Sequence, residues 1–316
     1  MTTGPTAFDF MSAAEISATQ ARSFTTDVTQ PILNAMNCAE QEGFTDLLFP
    51  PGGYAVSQSL PIGNGSAAAA STIMGVKLKG AGPPVGPPFW AAYSQTPPTE
   101  LRWVSMVQAP IVAVNGPVQG WGVENLYLNG QNIAPYGIAI TSGQFGDVAN
   151  VSLAGFSSAA LVSTTFPVFD GNCTDSLHNA FRNLNIQVPG VYGAKVIVLT
   201  GGPNATTDFA DFSNVLVAMS GGSTNFGLYL QAADTCMFRN LHICRGPGTT
   251  ALVFDYTVSG TFPSSCMFFG IDTGSGNTTY CVAGTPGPGA TPNKMYGRSG
   301  LNGMPPPTGI PNLIEV

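Results

Sequence analysis

Val123-Glu124-Asn125-Leu126-Tyr127-Leu128 carries a six-residue phrase, apolar-x-Asn-apolar-x-apolar, that returns down the chain. It recurs at Val148 to Leu153, Phe181 to Ile186, Phe212 to Val217 and Phe238 to Ile243. With Gly or Asp in place of Asn, the series extends to Phe268 to Thr273, Ile73 to Leu78 and Phe44 to Phe49. Asn, Gly and Asp are the residues that tolerate a left-handed backbone, so the third position reads as a sharp bend. The strand that follows points alternate side chains inward. With a weak member at Glu100-Leu101-Arg102-Trp103, bends are expected at 46, 75, 100, 125, 150, 183, 214, 240 and 270, in steps of 25 to 33 residues.

One unit repeated at this period means a solenoid. Helical repeats would place apolar residues three and four apart, whereas these units space them by two. A second apolar run follows each Asn, at Ile138 to Ile140, Leu161-Val162, Val196 to Leu199, Leu228 to Leu230 and Leu252 to Phe254, so each coil carries at least two strands. Leucine-rich repeats need a helix per unit and a stricter leucine frame. The expected fold is therefore all-β: a single-stranded right-handed parallel β-helix of about nine coils, stacked at roughly 4.8 Å. The bend asparagines are expected to form an internal ladder, each amide bonded to the next coil.

Composition narrows the class. The repeat spans most of the 316 residues and argues for one elongated body rather than two domains. Charged residues make up 9%, against about 25% in an ordinary domain. Ser, Thr, Asn and Gly then supply the polar surface, or much of the outside is covered by other subunits. A net charge of −7 with ten basic residues excludes a nucleic-acid footprint. No run of 18 apolar residues is present, so no membrane span is expected. The first 25 residues lack the basic and apolar regions of a signal peptide. The six cysteines at 38, 173, 236, 244, 266 and 281 show no metal spacing and read as small buried hydrophobes. No cofactor and no metal is expected. The Asn-x-Ser/Thr triplets at Asn64, Asn150, Asn172, Asn204 and Asn277 read as chance in a chain this rich in the three residues.

Residues 1–25 read as an extended arm, 26–275 as the β-helix with its cap, and 276–316 as a Gly/Pro-rich extended tail. Asp27, with Gln30 three residues on and Val28, Ile32, Met36 and Ala39 at helical spacing, predicts an N-terminal capping α-helix. Such a cap covers the open end of the solenoid, whose unpaired edges would otherwise template aggregation. A helix opened by Asp27, then Phe49-Pro-Pro-Gly-Gly-Tyr54, then Val76-Lys-Leu-Lys-Gly80-Ala-Gly82, resembles the start of the pectate-lyase-like β-helix proteins. That group includes polysaccharide lyases, glycoside hydrolases, epimerases and bacteriophage tailspikes, and the character here is most similar to the tailspikes. The resemblance implies the fold. It leaves chemistry open, because the fold hosts many activities and some non-enzymes. The polygalacturonase-like members carry Gly-His-Gly and Arg-x-Lys, and this chain has neither.

Registering coils on the bend places Asp208 six residues before Asn214 and Asp234 six before Asn240. They should stack about 5 Å apart, near the separation of a retaining carboxylate pair. Asp175 and Asp211 border the same edge in this register, giving four candidate catalytic carboxylates. Asp before a strand is also ordinary turn chemistry. The outward row two residues after each bend reads Lys77, Arg102, Tyr127, Ser152, Asn185, Leu216, His242 and Asp272. Within it, Tyr127, Asn185 and His242 are candidate substrate-binding residues. Trp90 and Tyr93, in the proline-bounded insertion 83–98, join them as rings able to stack on sugars or to pack on the flank. The expected protein is a virion-associated or extracellular spike, homotrimeric, that binds, or binds and degrades, cell-surface polysaccharide, and whose termini contact other virion proteins. The alternatives are a monomeric bacterial polysaccharide lyase or glycoside hydrolase, and a non-catalytic structural particle component.

Overall fold

The phrases at Asn125 and Asn150 each fold into two short strands around the bend, those at Asn183, Asn214 and Asn240 each form one strand that runs through it, and successive phrases lie side by side. The structure, a computed structural model, describes residues 4–63, 73–82, 96–164, 166–169, 172–174, 176–188, 195–201, 206–219, 226–244, 250–257, 263–272, 280–285, 290–298 and 313–315. One sheet runs in order through Asp46–Phe49, Lys77–Gly80, Gly122–Glu124, Asp147–Ala149, Ala180–Val188, Asp211–Met219, Met237–Cys244, Met267–Ile271, Asn293–Arg298 and Leu313–Glu315. The second apolar runs build the other sheet, from Leu60–Ile62 through Val112–Gln119, Tyr136–Gln144, Ala159–Thr164, Lys195–Leu199, Phe226–Leu230 and Thr250–Tyr256 to Tyr280–Gly284. Both sheets are parallel, and among the described residues one small antiparallel hairpin, Phe166–Phe169 with Asn172–Thr174, forms a separate sheet. One chain winding between two parallel sheets is a parallel β-helix.

The bends are left-handed, as the Asn phrase predicts. Asn125, Asn150, Asn183, Asn214 and Asn240 have φ of 58°, 55°, 54°, 55° and 53°, and Gly270 continues the column at 63°. Each Nδ2 donates to the Oδ1 of the previous coil: Asn150 to Asn125 at 3.1 Å, Asn183 to Asn150 at 3.0 Å, Asn214 to Asn183 at 3.1 Å and Asn240 to Asn214 at 3.1 Å. The ladder is not internal, however. Asn183, Asn214 and Asn240 are exposed. A bend that turns the chain around the core is convex outward, so its own side chain leaves the core while its apolar neighbours two residues before and one after enter it. Those neighbours make the interior: Phe181, Phe212, Phe238 and Phe268 are buried and stack at 4.3, 5.1 and 4.9 Å between centroids.

The early register differs from the expected one. Phe49 pairs with Gly80, and Lys79 pairs with Glu124, so the bend column runs through 49 and 80 rather than 46 and 75. Glu100 pairs with Tyr127, two residues past the bend. Positions 75 and 100 therefore belong to a single coil, opened at its bend by residues 81–98. Gly75 has another duty: a Cβ there would meet Trp121 Cβ at 2.6 Å, so the glycine admits the buried indole.

The cap forms as an α-helix over Thr29–Glu42, burying Ile32, Ala35, Met36 and Ala39. Asp27 sits one residue outside the cap position, accepting from Thr29 N–H at 3.0 Å and Thr29 Oγ1 at 2.6 Å. The N-terminal segment is not an extended arm. Ala7–Phe10 forms a 3-10 turn and Ala13–Gln20 a helix, its start tied by Ser12 N–H donating to Glu15 Oε2 at 2.7 Å, with Ala7 and Met11 in the core. Nor does the coil series stop at 275, since Asn293–Arg298 and Leu313–Glu315 extend the first sheet. Among the described residues, no helix is long and apolar enough to cross a membrane.

Candidate functional site

A second left-handed bend returns the chain from the second sheet to the first. It is occupied by Gly120, Phe145, His178, Phe209, Thr235 and Ser265, whose φ values lie between 51° and 67°. Phenylalanine rarely holds this conformation, and here Phe145 and Phe209 do so in a stack with His178. Phe145 and His178 lie 5.3 Å apart at 9°, and His178 and Phe209 lie 4.9 Å apart at 13°. The rings stay outside: Phe145 is 54% and Phe209 49% exposed. The corner beneath them is fixed by buried Asn179, which accepts from Gly146 N–H at 2.8 Å and donates to the Gly143 carbonyl at 2.8 Å.

The residue before each bend forms a column beside the rings. Gln144 pairs with Leu177, Leu177 with Asp208, and Asp208 with Asp234. Asp208 and Asp234 are thus partners on adjacent rungs, about 4.8 Å apart along the helix axis. Both are half-buried. Asp208 accepts a hydroxyl bond from Thr206, and Asp234 one from Thr235 at 3.3 Å. Asp211 follows Phe209 by two residues and so lies past the bend on the first sheet. It is engaged by Arg239, whose Nε lies 3.3 Å from Oδ1, and Asp147 is engaged by Arg182 at 3.2 Å in the same way. Between the aromatic column and the Asn ladder, then, runs a strip four residues wide that carries Asp-Arg pairs. Three of the four expected carboxylates lie within two residues or one rung of Phe209. Asp175 lies outside the described residues, as do Trp90 and Tyr93.

The outward row past the Asn bend is in register from Tyr127 through Ser152, Asn185, Leu216 and His242 to Asp272. Its upper members differ from expectation, because Glu100, not Arg102, stands over Tyr127, and Lys77 pairs with Gly122. Tyr127 is partly buried there, and burial with the nearby Glu100 carboxylate pushes its phenol up to about 12. Asn185 is half-buried. His242 Nδ1 lies 2.6 Å from Asp272 Oδ2, forming an imidazole-carboxylate pair on the open face. These three residues share a row but not the carboxylate edge.

Another polar cluster lies on the second sheet. Asp255 is 3% exposed and accepts from Thr257 N–H at 2.9 Å, Thr257 Oγ1 at 2.6 Å, Gln231 Nε2 at 3.1 Å and the Tyr229 hydroxyl. Burial pushes its carboxyl up, but these donors together outweigh that and hold it below the usual range. Lys195 Nζ sits 3.6 Å from the centroid of the Tyr229 ring, and burial pulls its ammonium down. Every described acceptor of Asp255 has a donor of its own chain, which marks the cluster as a brace for the sheet. Among the described residues, no group of three His, Cys, Asp or Glu is placed to hold a metal ion.

The aromatic column is the part of the site that the sequence conceals. Phe145, His178 and Phe209 carry no phrase of their own, and no propensity marks a phenylalanine as a left-handed bend. Their signal is positional only, each lying five residues before an Asn of the ladder.

No family model and no curated sequence matches the chain. Among solved structures it is similar to ORF18 of Geobacillus virus E2, at 14% identity and a TM-score of 0.43 over 98% of this chain and 59% of that one. It is also similar to an alginate lyase from Paenibacillus sp. str. FPU-7, at 13% identity and a TM-score of 0.44 over 90% and 96%. A third similar structure is the Dettilon tailspike protein gp208, at 11% identity and a TM-score of 0.36 over 89% and 65%. The chain thus spans less than two thirds of the first and third of these proteins. Likeness at this level carries nothing about activity or substrate.

Proposed function

We propose that this β-helix is a virion-associated spike component that binds cell-surface polysaccharide along its second bend and cleaves it there. The observation that carries the reading is the exposed Phe209 ring with Asp208 before it and Asp211 after it in the chain and Asp234 on the next rung. An exposed ring offers a sugar an apolar face, and two carboxylates one rung apart have the spacing of a retaining glycosidase pair, about 5 Å. Asp211, held by Arg239, positions the strip and is not the reacting group. In this mechanism Asp208 or Asp234 protonates the leaving oxygen while the other attacks the anomeric carbon, and water then releases the glycosyl group.

The experiment is oligosaccharide release from purified capsular and surface polysaccharides, with Asp208→Asn and Asp234→Asn variants. Each substitution should abolish release while leaving melting temperature and glycan retention nearly unchanged. Sedimentation equilibrium accompanies it: a trimer of the 32.6 kDa chain supports the spike reading, and a cleaving monomer supports a bacterial lyase or hydrolase. The hydroxyl bonds from Thr206 and Thr235 favour a second reading, in which both carboxylates serve only the turn and the chain binds without cleaving. That reading predicts lost stability and unchanged binding in both variants.

A further inference from the structure

Past the Asn ladder, Asn129, Ala154 and Gln187 occupy the same position on three successive rungs. The middle residue is the smallest, so a gap opens between two amides about 10 Å apart along the stack. The adjoining turn closes one end of the gap. Gln131 and Asn132 both have left-handed φ, 53° and 59°, with Ile133 N–H bonded back to the Gly130 carbonyl at 2.9 Å, as in a type I′ turn. Gly155, at φ 73°, lets this turn come close: Asn132 N–H donates to its carbonyl at 2.6 Å, and a Cβ there would sit 3.1 Å from Gln131 N. The result is a cavity of about 250 Å³ lined by Asn129, Gln131, Asn132, Ala154, Gly155 and Gln187.

Its polar groups are preorganised from behind. Glu100 is buried and held by Arg102 at 2.8 Å, and it accepts from Asn129 Nδ2 at 3.0 Å. That bond turns Asn129 Oδ1 toward the turn, where it accepts from Gln131 N–H at 3.2 Å and Gln131 Nε2 at 2.8 Å. One amide hydrogen of Gln131 is thereby used and the orientation of its carbonyl set. The described lining carries four primary amides and no charged group. Primary amides both donate and accept, as sugar hydroxyls do, and the volume is below that of a drug-sized pocket.

We infer that this cavity is a subsite for one uncharged pyranose ring, separate from the carboxylate edge. The choice of a sugar as occupant rests on the polysaccharide reading above, whereas the cavity and its amides do not. An uncharged ring fits because nothing in the lining would balance a uronate charge.

The test is saturation-transfer NMR on the full chain with methyl glycosides of neutral hexoses and, separately, glucuronate. Neutral glycosides should bind in the millimolar range, and glucuronate no more tightly. Gln187→Ala, which removes an amide, and Ala154→Gln, which fills the gap, should each weaken binding about tenfold with melting temperature unchanged. The proposal falls if no neutral glycoside binds, if glucuronate binds tenfold more tightly, or if neither variant weakens binding. If Phe209→Ala alone removes the signal, the sugar sits at the bend, so the subsite fails while the polysaccharide reading stands. If the cavity binds sugar and no polysaccharide is released or retained by the bend, the subsite stands and the proposed function fails.

Discussion

Replacing Asn183 tests how much of the outer ladder's contribution is hydrogen bonding and how much is backbone. Its side chain donates to Asn150 and accepts from Asn214, and its φ is 54°. Because the residue is exposed, water satisfies whatever is left when the amide is removed. Each lost bond is then worth the net value of about 0.5–1 kcal/mol, not the full penalty of a buried orphan. Asn183→Gly keeps the left-handed bend and should cost about 1–2 kcal/mol. Asn183→Leu loses the same two bonds and forces a branched side chain into the left-handed region, adding about 1–2 kcal/mol. Asn185→Leu, in the outward row two residues on, should cost less than about 1 kcal/mol. Urea unfolding reads all three as shifts in midpoint at constant slope. Equal losses for Gly and Leu at 183 would mean that the bend conformation contributes nothing, and a larger loss at 185 than at 183 would refute the register.

Phe209→Ala should lower polysaccharide affinity at least tenfold, about 1.4 kcal/mol, while costing only about 1 kcal/mol of stability from the lost ring stack. Retention on immobilised polysaccharide and a melting curve separate the two effects. Asp255 contributes through its depressed carboxyl: because its folded value lies below the unfolded one of about 3.9, its stabilisation is present above that pH and lost as pH falls through the folded value. Asp255→Asn should therefore be less stable than the parent at neutral pH and show a shallower loss of stability below about pH 4. Parallel acid-unfolding curves for the two proteins would contradict the brace assigned to this residue.

Much of the fold is legible because the repeat writes local physics into local sequence. Asn at a bend reports a positive φ, and an apolar residue on each side of it reports the inward face, so Phe181, Phe212, Phe238 and Phe268 read correctly as core. The same logic aligned Asp208 with Asp234, since both count six residues back from a ladder asparagine. It failed where the count was interrupted. The opening at 81–98 shifted the early bends to 49 and 80, and Gly75, chosen by close approach to Trp121, imitated a bend glycine. The short helix Ala13–Gln20 escaped notice because eight residues with one buried side chain show no amphipathic stripe.

By itself, then, the sequence determined the architecture: the spacing of Asn and the alternation of apolar residues are properties of neighbours along the chain, and a solenoid is built by repeating them. Only the tertiary structure decided which way the ladder faces, because that depends on the curvature of the whole coil. It alone placed three aromatic rings over one another at the second bend, two of them phenylalanines in a conformation that their residue type disfavours. And it alone brought Asn129, Gln131, Asn132 and Gln187 around a single gap. Gln187 joins the other three from two rungs away, and that meeting is set by rung spacing across the stack, a distance that no window along the chain records.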